Sequence, residues 1–179
     1  MRMTIQTTGA ILLLLGGTLA SSARAAEPAN PCPLHAQHQA AAEHEHNGVA
    51  GVDQRGDEVM GFSHQRTTHH FLLEPEGGTI QVEANDPQDT ESLQQVRTHL
   101  AEVARQFAAG DFSMPQAIHD RVLPGVPEMM EHKDAIAYRF ESLEDGGRVV
   151  IRTADTEAVT AIHAFLEAQI SDHRTGDAH

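Results

Sequence analysis

The sequence predicts an α+β domain in which two strand-turn-strand-helix units form one four-stranded antiparallel sheet with both helices on one face. Three observations carry that expectation. The stretch from Phe71 can be laid over the stretch from Phe140, with Gly77-Gly78 on Gly146-Gly147, Ile80 on Val149 and Val82 on Ile151. Around each glycine pair apolar and polar residues alternate, the period of a half-buried strand. Past each second strand the apolar period becomes helical: Leu93, Val96, Leu100, Val103 and Phe107 in the first copy, Val159, Ile162, Leu166 and Ile170 in the second. A sheet with one apolar face and two amphipathic helices bury each other most simply as two layers.

Taken in order, residues 1–25 begin with Arg2, continue through an apolar run from Ala10 to Leu19 and end in Ala23-Arg24-Ala25. That pattern is a secretory signal peptide with cleavage after Ala25, and its apolar part is too short to span a bilayer. Export to the periplasm or to the outside follows, with no membrane insertion of the processed chain. Residues 26–59 are rich in Ala, Glu, His, Gly and Pro and almost lack large apolar side chains. Such a segment cannot bury enough surface to offset chain entropy, so it reads as a flexible His-rich tail.

Residues 60–179 then form a single domain. Residues 67–86 read as two short strands around a glycine turn. Asp86-Pro87 and Asp155 are plausible helix starts, and Gly110 and Gly176 follow the helix ends. Between the units lies an insertion near 111–133, where Met114 to His119 suit a helical turn and Pro124, Gly125 and Pro127 impose an irregular path. Insertions of this kind often carry binding groups.

Charge narrows the partners. Without residues 1–25, which hold two arginines and no acid, 10 basic and 26 acidic side chains remain, a net of −16 with neutral histidine. Such a surface repels phosphate backbones and anionic lipid, which argues against nucleic acid and favours cations. All thirteen histidines lie past residue 25, and seven of them fall between Cys32 and His70. The single cysteine has no intrachain partner, so in an oxidising compartment it is free, metal-bound or paired between chains.

Three groups of candidate metal ligands emerge. His69 and His70 are adjacent in a strand and therefore point to opposite faces; alternation with Phe71 and Leu73 turns His69 toward the helices and His70 away. His99 borders the first helical stripe and His163 borders the second, which sets His69, His99 and His163 in the layer between sheet and helices. Neutral imidazoles with an open position suit zinc or copper. In the tail, Cys32, His35 and His38 at three-residue steps would share one side of a helix. Along the sheet edge Met60, His64 and His70 form a third group, and the insertion adds Met114 and His119; thioether with imidazole favours copper.

No nucleophile elbow, metalloprotease helix, phosphate loop or dinucleotide fingerprint is present, so no reaction can be read from motifs. The expected function is that of an exported transition-metal-binding protein, copper favoured over zinc, serving buffering, delivery or resistance, with a metal-delivery protein as a further partner. The alternatives are a metal-dependent enzyme with a His-rich site and a haem-binding protein with one histidine as axial ligand. Because Cys32 lies in the tail, Cys32→Ser is expected to change unfolding free energy by no more than about 0.5 kcal/mol in a denaturant titration.

Overall fold

A computed structural model describes residues 51–178. Strand β1 (Thr67–Glu74) pairs antiparallel with β2 (Gly77–Ala84), and β3 (Ile136–Ser142) with β4 (Gly146–Thr153). The central pair is β2 with β4, also antiparallel, giving the sheet order β1-β2-β4-β3.

Register turns the duplicated sequence into a symmetric object. Phe71 lies opposite Ile80 in one hairpin, and Phe140 opposite Val149 in the other. Across the centre Ile80 faces Val149, with Gly78 on Ile151 and Val82 on Gly147. A pseudo-twofold axis therefore passes between Ile80 and Val149. The bare second glycine of each pair lets a helix approach: a Cβ on Gly78 would stand 2.3 Å from Leu166 Cδ1, and one on Gly147 would stand 3.3 Å from Leu100 Cδ1.

Among the described residues five α-helices accompany the sheet: α1 over residues 51–60, α2 (Thr90–Ala108), α3 (Ser113–His119), α4 (Val126–Glu131) and α5 (Thr156–His173). Two of them start on aspartate caps. Asp89 accepts from Ser92 N–H, and Asp155 accepts from Glu157 and Ala158 N–H, satisfying amides that have no partner within the helix. Asp86, the expected start of α2, instead holds the N–H of Gln88 in the preceding turn.

Each long helix lies chiefly over the other unit's hairpin, α2 on β3 and β4, α5 on β1 and β2. Val96, Leu100, Ile162, Phe165 and Leu166 are buried against Phe71, Ile80, Val82, Val149 and Ile151. Complete burial of such side chains contributes about 1.5–3 kcal/mol each before entropy is set against it. The opposite sheet face carries ion pairs, Arg148 with Glu141 at 2.6 Å and Arg152 with Glu74.

The exchange of helices between hairpins has a second expression. Arg97 on α2 donates to the carbonyls of Leu143, Glu144 and Gly146 in the β3–β4 turn. At the equivalent place on α5, His163 reaches the carbonyls of Glu74 and Gly77 in the β1–β2 turn, 2.9 and 3.0 Å from Nε2. Carbonyls only accept, so Nε2 of His163 carries the proton and fastens the turn.

The folded part starts earlier than composition suggested. Residues 51–59, expected within the flexible tail, are helical; Val52 is buried and Arg55 Nε donates to the Ile118 carbonyl at 2.7 Å. The insertion is better ordered than its prolines implied, because Phe112, Ile118, Leu123, Val126 and Met129 all enter the core. If α1 belongs to the cooperative unit, Val52→Ala should lower unfolding free energy by about 1–3 kcal/mol, from two lost methyl groups and the space they leave; an unchanged denaturation midpoint would place α1 outside it.

Candidate functional site: an imidazole-lined cavity

Where α1, α2, α3 and α5 meet over β1 and β2, the core opens into a cavity of about 60 Å³. His69, His99, His119 and His173 line it together with Met60 and Met114, on a floor that includes Phe71, Ile80 and Val82. Among the described residues no carboxylate or cysteine lines it. Strand alternation delivers His69, which points inward with Phe71. Helical spacing delivers His99 beside Leu100, and the last turn of α5 delivers His173.

The rings are packed as aromatics. His69 stacks on His173 with centroids 5.5 Å apart and planes 8° from parallel. Phe62 and Phe71 lie at 6.0 and 6.2 Å from His69. Phe62 also meets His99 edge-on at 5.4 Å, and His119 meets His173 edge-on at 5.2 Å.

Hydrogen bonding divides the four. Among the described residues none donates to or accepts from the ring nitrogens of His69, His99 or His173, whereas His119 is engaged at both: Nδ1 at 2.7 Å from Asp172 and Nε2 at 3.0 Å from the Gln169 amide. The carboxylate can only accept, so Nδ1 of His119 carries a proton. A neutral ring then requires the Gln169 amide to turn its N–H toward Nε2. Arg121 pairs with the same Asp172 oxygen at 2.6 Å and so anchors the carboxylate.

Burial sets the protonation of the cluster. Desolvation pushes the pKa of His69 down to about 3, helped by repulsion from His173, His99 and other imidazoles. His99 falls to about 4 through desolvation alone. His173 also falls to about 4, by desolvation and then repulsion from His119. Desolvation lowers His119 too, against the opposing pull of Asp172. Near neutral pH these rings are uncharged bases whose lone pairs on His69, His99 and His173 are unclaimed by protein donors.

Of the residues singled out from sequence, His69, His99 and His119 come together here. His163 does not: it stands on the flank of α5 and is committed to the β1–β2 turn, because Ile162 and Phe165, not Val159, centre the buried stripe. His70 points away as alternation requires, its Nδ1 at 2.9 Å from Asp177. His64 sits at the end of α1 with Nδ1 2.9 Å from Asp57. Cys32, His35 and His38 lie outside the described residues. Met129 is core and Met130 is exposed.

Spacing read from the apolar stripe overlooked His173. Aligning the two long helices on their aspartate caps, Asp89 with Asp155, sets His173 on Phe107, Gln169 on Val103 and His99 on Phe165, while the strands set His69 on Tyr138. In the other half, Phe107 meets Tyr138 at 5.8 Å and Phe165 at 5.8 Å. One half of the pseudosymmetric core is therefore closed by phenyl and phenol rings at the positions where the other carries imidazoles.

Among the described residues no three His, Cys, Asp or Glu side chains stand in metal-holding geometry as placed. Any ion here would draw on rings that shift to meet it and on the thioethers of Met60 and Met114. Nor is any described helix long and apolar enough to cross a membrane. Comparison of the chain with family models, with curated proteins and with solved structures finds no match.

The depressed pKa values fix a pH dependence. From about pH 4 up to the ordinary value of 6.5, the unfolded chain binds protons that folded His69, His99 and His173 refuse. Stability should therefore rise with pH across that window and level off above it. Urea unfolding at pH 5 and pH 7 should show the acid loss, and His173→Phe, which copies the other half, should reduce it; equal midpoints at the two pH values would mean that the rings are solvated.

Proposed function

We propose that the protein is an exported binder of a transition metal, copper in preference to zinc, acting in buffering, delivery or resistance outside the cytoplasm. One observation carries the reading: three uncharged imidazoles with no hydrogen-bond partner among the described residues, His69, His99 and His173, converge with two thioethers on one small cavity. No hydrogen bond among the described residues claims their lone pairs, which leaves them available to an ion that enters. Imidazole with thioether is a soft donor set, and it suits cuprous copper, which is content with few ligands; zinc prefers four, drawn from thiolate, imidazole and carboxylate.

His119 supports the same reading in another role. Held by Asp172 at Nδ1 and backed by Arg121, it resembles the carboxylate-oriented imidazoles found around metal centres, with Nε2 directed at Gln169 and the cavity. The acidic surface expected of the processed chain favours capture of cations. A haem would need the cavity of about 60 Å³ to open widely.

The test is the rise in melting temperature on adding Cu(I) or Zn(II) to the full chain, anaerobically for copper. Metal held by the His-rich tail does not stabilise the fold unless it bridges to it, so this readout selects the folded domain. An ion binding the native state alone adds about 3–4 kcal/mol at a hundred to a thousand times its dissociation constant. His69→Ala and His173→Ala should each remove most of the copper-induced rise, and the double variant little more, since members of one site are not additive. His163→Ala should cost about 1–2 kcal/mol of stability through the freed turn carbonyls yet keep the full rise. Equal loss in all three variants, or a larger rise with zinc, would overturn the assignment.

A further inference from the structure

The cavity has a neighbour. On the outer side of α2 a surface groove runs past Glu91, Gln94, Thr98 and Glu102, and three residues line both it and the inner cavity: Met60, His99 and Met114. Each of the three is partly exposed, so each side chain touches solvent on one side and the imidazole chamber on the other. Met60 ends α1 immediately before Gly61, whose φ of +78° turns the chain. Met114 lies in the first turn of α3, a seven-residue helix with no side-chain cap at its start. The two thioethers thus come from short elements at the rim, while the stacked pair His69 and His173 lines the inner cavity and not the groove.

We infer that Met60, Met114 and His99 form an entry station through which cuprous copper passes between the surface groove and the His69–His173 pair. This rests on the metal-binding reading above and adds a route to it. A dehydrated ion cannot cross an apolar rim unaided, because its lost hydration must be replaced at every step. Soft thioethers replace it cheaply and release it readily, since their bonds to copper are weak and polarizable. His99, which lines both the groove and the inner cavity, passes the ion inward by exchanging one ligand for the next. Glu91 and Glu102 line the outer groove; Glu102 is paired with Arg105 at 2.5 Å, and Glu91 bears its charge at the first turn of α2. No bond other than metal–ligand bonds changes, and no electron is transferred.

An entry station that is vacated after loading controls rates and not affinity. The chain to use is full length with Cys32→Ser and His→Asn at His35, His38, His44 and His46, so that the tail does not compete. In it, Met60→Leu with Met114→Leu keeps volume and apolarity while removing both sulfurs. Cu(I) is supplied as its coloured bicinchoninate complex, and transfer is followed by stopped-flow absorbance in both directions, with the dissociation constant from equilibrium competition. Loading and unloading should slow by the same factor, about tenfold or more, with affinity held within about threefold, as microscopic reversibility demands of a group on the path but not in the final site. Unchanged rates would overturn the entry station. So would a slower loading accompanied by lost affinity, which would make the methionines ligands of the inner ion. If the parent chain takes no copper and His69→Ala changes nothing, the metal-binding reading itself falls, a result distinct from either.

Discussion

Everything in this fold hangs on the antiparallel pairing of β2 with β4 about Ile80 and Val149. That pairing joins two hairpins of the same register at an axis where Ile80 faces its own counterpart, Val149, and the flanking pairs Gly78–Ile151 and Val82–Gly147 are related by exchange. It also decides where the helices go. A right-handed, twisted two-hairpin sheet offers one apolar face, and each helix crosses the axis to cover the hairpin it did not follow in sequence. The crossing explains why α5, which follows β4, sets its last turn over β1, and why a histidine and an arginine at matching places reach across to hold the opposite turns.

Symmetry of backbone with asymmetry of side chains is what creates the cavity. Phe107, Tyr138 and Phe165 seal one half with dispersion and edge-to-face contacts. In the other half imidazoles occupy the matching places, and these fill less space and carry polar nitrogens. The shortfall in volume is the cavity, and the nitrogens set its chemistry. Burial then keeps the rings uncharged, so the same desolvation that weakens the core against acid leaves lone pairs exposed to whatever enters.

The fold was readable from the sequence because it is written twice: glycine pairs, alternation and helical period recur together, and each repeat supports the other. His69 and His99 were readable because a strand of period two and a well-marked helical stripe fix the direction of a side chain. His163 was misplaced, and His173 overlooked, for one reason. On α5 alanines such as Ala158 and Ala161 take buried places, so the large apolar residues do not mark the centre of the buried stripe. Residues 51–59 misled by composition, since one buried valine and one arginine reaching a carbonyl are enough to dock a short helix whose remaining residues are polar.

The side-chain carboxylate of Asp177 accepts the main-chain N–H of Phe71 and holds His70 alongside. Phe71 belongs to an outer strand, and its fastened amide is one that an added strand would have to capture. Growth of this sheet by strand addition at β1 would have to displace that contact, so one of its two outer strands carries its own guard against edge-to-edge association.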